Sequence, residues 1–299
     1  SLELIRLVFS STPLIAHLPC PAILTLVALI RLVRPRRRVL IFWHAFLLPH
    51  PGFLGFLERF YQFFALNLSR GCSVVTTSPV LRQSLLRRGF RSESVFILPC
   101  ALSLQTEIGL KRLRSKSSRL HPKGRIIFIG RLDSYKRVDW LVQAMATTPA
   151  VSELHILGSG PDRLALEELV DRTIKSPQRV IFHGQVSEQQ KYSLLSHCDL
   201  MVLPSDRCNE AFGIVQLEAM AAGLPSLAFD LPDSGMHWVS ALPSLKWSGS
   251  PSDLPIVLQR IFTDPKFFAQ LSHEACVRYD QFFSRRQLIR SLRHIQKFL

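Results

Sequence analysis

The sequence contains no apolar run long enough to cross a membrane. Its longest run, PAILTLVALI from Pro21, meets Arg31 and Arg34 well before the ~20 apolar residues that a spanning helix needs. We interpret this run as a buried helix. No basic segment followed by an apolar core and small residues precedes it, so no cleavable secretory signal is expected.

Cysteine pairs and metal-ligand patterns are also missing. The six cysteines form no CxxC pair, and no histidine is spaced for zinc. This pattern disfavours a secreted disulfide framework and predicts reduced cysteines, mostly in the core of a cytoplasmic protein. No DxD element or cluster of His, Cys and Asp ligands is found, so neither a metal ion nor a cofactor is expected.

Acidic residues are scarce in the first part of the chain. Residues 1 to 120 carry 17 Lys and Arg but 4 Asp and Glu, whereas the remainder carries 20 against 18. The runs RLVRPRRR (31–38) and KRLRSKSSR (111–119) would attract phosphates of anionic lipids or of nucleic acid, or they are simply solvated loops. The charge predicts a positive field on one half of the protein without selecting its partner.

Apolar residues are plentiful and are arranged in short runs. They make up 47% of the 299 residues, enough to bury a core in one large or two ordinary domains. Because the runs are continuously apolar and alternate with amphipathic stretches, they predict an α/β fold with parallel sheets covered on both faces. The predicted strands are VLIFW (39–43), SVVTT (73–77), SVFIL (94–98), RIIFIG (125–130), ELHILG (153–158), RVIFHG (179–184), DLMVLP (199–204) and PSLAFD (225–230).

The strands fall into two units. A polar, basic segment, 106–124, is predicted to be the interdomain linker. It follows a partial amino-terminal domain, 1–105, with about three strands, and precedes a second domain, 125–280, with five. The segment 281–299 predicts an amphipathic helix with a basic face, which packs across the two domains or contacts a membrane. Its apolar positions are Phe282, Leu288, Leu292, Ile295 and Phe298.

Glycines and cations follow the first two strands of the second unit. Gly130 ends a strand, and Arg131 and Lys136 come before the helix VDWLVQA. Cations at the carboxyl end of a parallel strand, beside a helix N-terminus, are well placed for phosphate, although two solvated side chains would give the same pattern. Gly158 and Gly160 lack the third glycine of the dinucleotide fingerprint, so a tight turn explains them equally well.

Two glutamates frame the segment EAFGIVQLE after the strand DLMVLP. Glu210 would lie just outside the N-terminus of a helix and Glu218 about two turns into it. Carboxylates accept hydrogen bonds from sugar hydroxyls, and the N–H groups of Phe212, Gly213 and Ile214 would face a phosphate. A capping glutamate and a solvated helix glutamate explain the same pattern without a ligand.

Taken in order, these motifs resemble those of the group 1, or family 4, retaining glycosyltransferases, which have the GT-B fold of two Rossmann-like domains. Glu210 and Glu218 are similar to the E-x7-E element of that family, and GRLDSYKRVDWLVQA to its GRL…K…D.L…A segment. The resemblance continues through ELHILGSGPDRLALEEL and EAMAAGLP and covers residues 125 to 230 without a gap. It implies a GT-B fold in which the first domain is incomplete.

The first unit resembles the family more loosely. RVLIFWHAF lies where the family has a strand ending in histidine, which makes His44 a cleft candidate, although a lone histidine is also common in a core. Cys100 to Ser103 replace the usual Gly and Asp, and the opening strand with its glycine-rich loop is not present. The first domain is therefore expected to be truncated, and activity would depend on that missing element.

The resemblance implies a hexosyltransferase that moves a sugar from a nucleotide-diphosphate donor to a glycan or lipid-linked acceptor, with retention at the anomeric carbon and without a metal, as in cell-surface polysaccharide synthesis. The implied catalytic residues are Glu210 and His44; the implied diphosphate ligands are Arg131, Lys136, Phe212, Gly213 and Ile214; Glu218 would bind the ribose, and Gly158, Gly160 and Val186 would contact the donor.

The expected location is cytoplasmic, peripheral at the inner face of the membrane, because a basic first domain would meet anionic lipid there. Two alternatives stay open. One is a catalytically inactive, transferase-like protein that binds a nucleotide sugar or serves as a partner subunit. The other, less favoured, is a nucleic-acid-binding protein, for which no reader motif is found. Donor base, donor sugar, acceptor and oligomeric state are not determined by the sequence.

Overall fold

Two parallel sheets form the framework of the protein. The computed structural model describes residues 2–48, 50–116 and 121–296. Within these ranges, one sheet has four strands in chain order and the other has five in the order β7-β6-β5-β8-β9. The predicted α/β fold with two Rossmann-like units is confirmed. The strands are β1 (Leu14–Leu18), β2 (Val39–Trp43), β3 (Ser73–Thr76), β4 (Val95–Ile97), β5 (Arg125–Ile129), β6 (Glu153–Leu157), β7 (Arg179–Gly184), β8 (Leu200–Leu203) and β9 (Ser226–Ala228).

Helices precede and connect the strands of the first sheet. They are α1 (Leu2–Phe9), α2 (Pro21–Val33), α3 (Phe53–Ser69) and α4 (Pro79–Arg87). Each strand pairs with the next one in the chain, and all pairs are parallel. Because parallel crossovers are right-handed, this order places α2, α3 and α4 on the same face of the sheet. Their inner sides meet the strands in one core, which includes Val27, Ala65 and Leu81.

The sequence analysis missed strand β1 and misjudged α2. In β1, Ala16 and Leu18 are buried whereas Ile15 and His17 are exposed, so the run LIAHL is not continuously apolar and escaped the pattern used for the other strands. Helix α2 is present, but the prediction that it is buried is wrong on one side, where Leu32 is 81% exposed. A helix on the outer layer of a sheet buries one stripe, however apolar the rest is.

The second sheet has β5 at its centre and helices on both sides. They are α6 (Val138–Ala146), α7 (Arg163–Thr173), α8 (Glu188–His197), α9 (Val215–Ala221), α10 (Met236–Ser240), α11 (Leu254–Thr263) and α12 (Pro265–Arg278). The chain builds β5, β6 and β7 in one direction and then places β8 and β9 on the other side of β5. The strand order therefore reverses between β5 and β8.

The segment predicted as a linker is largely helical. Helix α5 (Leu104–Lys116) buries Leu110 in the core of the second unit. Two of its cations are paired, because Lys111 binds Glu107 and Asp280, and Arg114 binds Asp280. Part of the basic run is thus held on the second unit instead of forming a solvated loop, and residues 117–120 lie outside the described ranges.

The last described helix returns to the first sheet. After a π-helical turn at Tyr279–Phe283, α13 (Arg285–Gln296) buries Ile295 against Leu40, Val75 and Leu98. Phe298 lies outside the described residues. None of the helices in the described ranges combines the length and hydropathy that a membrane span requires.

Candidate functional site

The loops that follow β5 and β8 meet where the strand order reverses. In open α/β sheets, the crevice at the carboxyl ends of the strands is the usual place for a ligand at such a reversal. Here the Asp206 N–H donates to the Tyr135 carbonyl at 2.9 Å, which ties the two loops together. The fold therefore brings the residues around Lys136 and those around Glu210 into one site.

Lys136 and Glu210 form an ion pair in this crevice, between Nζ and Oε2. Lys136 is 8% exposed, and the Glu210 side chain is mostly buried. The Glu210 backbone is held as well, since the Ser234 hydroxyl donates to its carbonyl at 2.6 Å. A buried charge requires a partner, so the pair allows an ammonium and a carboxylate to be held together at the sheet edge.

The segment between Glu210 and α9 makes a tight turn. Gly213 has a φ of +69°, and a side chain there would collide with Leu203. The Phe212 ring is buried against Phe283, whereas the Ile214 side chain is half exposed. Helix α9 starts at Val215, so the three predicted phosphate-binding residues form the turn that precedes the helix.

Glu218 faces a lysine that the sequence analysis missed. Its Oε1 lies 2.9 Å from the Lys191 ammonium of α8, and Lys191 also pairs with Glu188 at 2.9 Å. Burial raises the pKa of Glu218, and the Lys191 ammonium offsets part of that rise. Its other oxygen, Oε2, is buried and accepts no hydrogen bond from the described residues. A hydrogen-bond donor group on a bound ligand would satisfy this oxygen.

A cavity of about 740 Å³ opens beside Lys191. The loops after β5, β6 and β7 line it, together with the first turn of α8. Two glycines allow the loops to pack closely: a side chain at Gly158, where φ is +132°, would collide with the Gly130 carbonyl, and one at Gly160 with the Leu132 carbonyl. The lining includes, of the predicted site residues, Arg131, Gly158, Gly160 and Val186.

Arg131 and Lys136 differ in their surroundings although both were predicted to bind phosphate. The Arg131 side chain is 70% exposed, and its Nε lies 3.1 Å from Asp133. Lys136 is buried with Glu210 and is absent from the lining of the cavity. Arg131 is therefore an exposed cation that lines the cavity, whereas Lys136 is a buried, paired cation outside its lining.

His44 follows β2 and pairs with a second histidine. Its Nε2 lies 2.8 Å from the Nδ1 of His17, on the neighbouring strand β1. Burial and the neighbouring His17 both lower the pKa of His44, which favours a neutral imidazole. The sequence analysis missed His17 because it missed β1.

The two units meet close to Glu210. The Cys208 thiol donates to the Phe46 carbonyl at 3.5 Å. Arg88 donates to both oxygens of Asp233, at 3.2 and 2.6 Å, and its guanidinium lies 4.2 Å from the Phe46 ring centroid. We call the contacts Phe46–Cys208 and Arg88–Asp233 the seam between the units. His44 and Glu210 are each two residues from the Phe46–Cys208 contact, so they lie on opposite sides of this seam.

A second polar cluster lies at the opposite end of β6. Ligand atoms of Glu153, His155 and His197 lie within 4.8 Å of one another. Burial raises the pKa of Glu153, but hydrogen bonds and charges of Arg179 and its neighbours outweigh this effect and lower it to about 2. Because Glu153 already pairs with Arg179 and Arg125, the cluster is an ion-pair network remote from the cavity.

Comparison with known sequences agrees with this geometry. Residues 123–240 match the family model for "Glycosyl transferases group 1". The chain is 40% identical over 105 residues to the uncharacterized glycosyltransferase MJ1607 of Methanocaldococcus jannaschii, covering 33% of this chain and 25% of that protein. It is 33% identical over 140 residues to N-acetyl-alpha-D-glucosaminyl L-malate synthase of Bacillus anthracis, covering 46% and 33%. The alignments thus span a third or less of these two relatives' lengths.

Comparison with solved structures extends the likeness to the first unit. Anabaena HepE in complex with UDP superimposes with a TM-score of 0.79 at 19% identity, covering 100% of this chain and 83% of that one. At this identity the likeness concerns the fold, which is GT-B. The sequence resemblance to the group 1 glycosyltransferases is thereby confirmed.

Proposed function

We propose that the protein transfers a hexose from a nucleotide-diphosphate sugar to a hydroxyl acceptor, with retention at the anomeric carbon. The observation that best supports this is the buried Lys136–Glu210 pair at the reversal of the second sheet. It holds a cation suited to phosphate next to a carboxylate suited to sugar hydroxyls. In the free protein each charge neutralises the other, so the site keeps both charges buried until the donor arrives.

The donor diphosphate lies, in this proposal, between Arg131, Lys136 and the backbone N–H groups of Phe212, Gly213 and Ile214. As the glycosidic bond breaks, negative charge grows on the diphosphate. Two cations and a turn of N–H groups supply the compensating charge, which is why we expect transfer without a metal ion. Gly158 and Gly160 allow the loops that would contact the donor to pack closely on each other.

The nucleoside half of the donor occupies the cavity. Glu218 receives the ribose hydroxyls, because its buried Oε2 accepts no hydrogen bond from the described residues and Lys191 holds its other oxygen. The base lies near Val186, which lines the same cavity. Nucleoside and diphosphate would thus extend from α8 towards the Lys136–Glu210 pair.

The sugar lies at the seam between the two units. Glu210 orients it through hydroxyl groups, and the neutral His44 contacts the sugar or the acceptor from the other side. Neither residue acts as an acid or base of the glycosidase kind. Packing of the Cys208 loop on Phe46 limits the access of water, which suppresses hydrolysis of the donor.

The acceptor is a glycan or a lipid-linked sugar at the inner face of the membrane. The proposal rests on the excess of Lys and Arg among residues 1 to 120, which attracts anionic lipid headgroups. The protein would then work in the cytoplasm as a peripheral enzyme of polysaccharide synthesis.

A thermal-shift screen of nucleoside diphosphates and their sugar conjugates tests the donor site. One base should raise the melting temperature selectively, because a ligand that binds the folded state stabilises it by mass action. Random RNA that stabilises the protein more than every nucleotide would contradict the proposal. Donor binding without transfer to any acceptor would instead support the inactive, transferase-like alternative, which the small four-stranded first sheet motivates.

A further inference from the structure

Helix α3 presents a continuous apolar face to solvent. Seven of its large apolar residues are 44 to 74% exposed, and Phe53, Phe56, Phe60 and Phe64 form a ladder of ring contacts along the helix. At helical spacing, six of the exposed side chains fall within a sector of about 120°. The exposed residues are Phe53, Leu54, Phe56, Leu57, Phe60, Phe63 and Phe64.

The opposite side of α3 is fixed to the domain, so the helix cannot rotate to bury this face. Ala65 and Ser69 are buried. The Tyr61 hydroxyl accepts the Cys20 N–H at 2.6 Å, and Gln62 accepts the Leu47 N–H at 2.6 Å. The inward side chains already contact the rest of the domain, so the aromatic face cannot turn into the core without breaking these contacts.

The topology makes α3 part of the outer layer of the first unit. Because α2, α3 and α4 lie on one face of the sheet, the outer side of α3 points away from the strands. Helix α13, which returns from the second unit, packs Leu288 and Ile295 with Leu40, Val75 and Leu98. It contributes to a separate cluster from the core that holds Ala65 of α3. The aromatic face remains exposed within the described structure.

Cations border the apolar face. Arg59 and Arg70, both exposed, lie beside it at the neighbouring helical positions. Residues 1 to 103, which precede α5, carry 12 Lys and Arg against 3 Asp and Glu. Two copies meeting through α3 would bring two positive halves together, which is electrostatically unfavourable. An anionic surface with an apolar interior matches both the aromatic face and the charge around it.

We propose that the apolar face of α3 inserts into the headgroup boundary of an anionic lipid bilayer and holds the first unit on the membrane. The helix lies in the plane of the interface and does not cross it. It begins nine residues after His44, so its amino end is on the side of the seam between the units. This inference rests on the proposed transfer to a lipid-linked acceptor, for which it supplies the anchoring surface.

Vesicle flotation of the full chain tests the proposal. The vesicles contain phosphatidylcholine alone or a mixture with phosphatidylglycerol, and neither contains a sugar acceptor. The wild type should float with the anionic vesicles. The triple variant Phe56→Ser/Phe60→Ser/Phe63→Ser should lose at least about tenfold in vesicle affinity, because three aromatic side chains no longer leave water. Phe63→Ser alone should lose severalfold.

The matched control is Leu164→Ser/Ile256→Ser, which removes two exposed apolar side chains from the second unit. It should float like the wild type. Equal loss in the control, unchanged flotation of the triple variant, or absence of wild-type flotation would overturn the proposal. So would a wild-type dimer in sedimentation that the triple variant converts to a monomer.

A nucleotide thermal shift on the same variants separates this inference from the proposed function. Vesicle binding that is lost while the nucleotide shift is kept supports the anchor and leaves the donor site intact. Vesicle binding by a wild type that responds to no nucleotide supports the anchor and contradicts the transferase proposal.

Discussion

The two units of this protein share the same right-handed crossover topology, but they differ in which charged and apolar side chains are buried and which are exposed. In the second unit, oppositely charged side chains pair in largely buried positions, as in the Lys136–Glu210 and Lys191–Glu218 pairs. In the first unit, apolar side chains are left outward along α3, and β1 leaves Ile15 exposed. This difference is the basis of the two proposals, a small anionic ligand bound within the second unit and a lipid surface bound by the first.

The largest effect is expected when the Lys136–Glu210 ion pair of the second unit is broken. Lys136→Ala and Glu210→Ala should each lower transfer by about 100- to 1,000-fold, because a buried charged group that would contact the donor is lost. Initial rates with the donor found by thermal shift measure this. Lys266→Ala, an exposed lysine of the second unit, is the control, and thermal unfolding shows whether the fold is kept. Turnover at the wild-type rate by both variants would refute the assignment of the site.

The second prediction compares glycines of the two units. Gly158→Ala should destabilise the protein by about 3 kcal/mol or more, since a side chain at φ +132° meets the Gly130 carbonyl. Gly89→Ala in the first unit should cost roughly 1–2 kcal/mol, because φ is +86° there but the nearest atoms belong to the flexible Arg70 side chain. Urea unfolding measures both. Equal losses would show that the cavity loops are less closely packed than the structure indicates.

The third prediction concerns the seam between the units. A double-mutant cycle with Arg88→Met and Asp233→Asn should give a coupling free energy of about 1 kcal/mol, because the bidentate pair is partly exposed. The coupling is measured by urea unfolding. A coupling near zero would mean that the Cys208–Phe46 contact and the return of α13 suffice to hold the seam.

The smallest expected effect is the pH dependence from the histidines. His44 has a lowered pKa in the folded protein, as has His183 in the second unit. Between that lowered pKa and the ordinary value near 6.5, the unfolded chain binds more protons, so stability falls as the pH drops through this window. His44→Gln and His183→Gln should each remove part of the loss.

The loss of folding stability that each histidine contributes should be well under about 1 kcal/mol, because these histidines are not fully buried. Urea unfolding at pH 7 and at pH 5.5 measures it. A variant whose stability falls with acid as steeply as the wild type would show that its histidine titrates normally in the folded state.

Most of the second unit could be predicted from the sequence, and less of the first. The central residues of β5, β6 and β8 are buried, so continuous apolarity identified these strands, and the partly exposed edge strand β7 has an apolar run as well. Strand β1 lies at the edge of its sheet with alternating exposure, and the same criterion failed there. The linker was misjudged because Lys111 and Arg114 look solvated until Glu107 and Asp280 are placed beside them.

The candidate site shows the same division. Arg131, Gly158, Gly160 and Val186 follow strands that end at one edge, and all four line the cavity. Lys191 was missed because nothing in EQQKYSLLSH marks one lysine of a helix as facing a glutamate 27 residues further on. His17 was missed together with its strand.

The sequence by itself indicated the α/β class, most of the strands and the resemblance to the group 1 glycosyltransferases, because apolar runs and glycines at strand ends recur in a regular order along the chain. Only the tertiary structure decided which charged side chains form ion pairs and which apolar helix face stays exposed. Lys136 meets Glu210, 74 residues away, through the reversal of the strand order. The outward face of α3 has the composition of a buried helix, and it is the position of that helix in the outer layer that leaves it exposed.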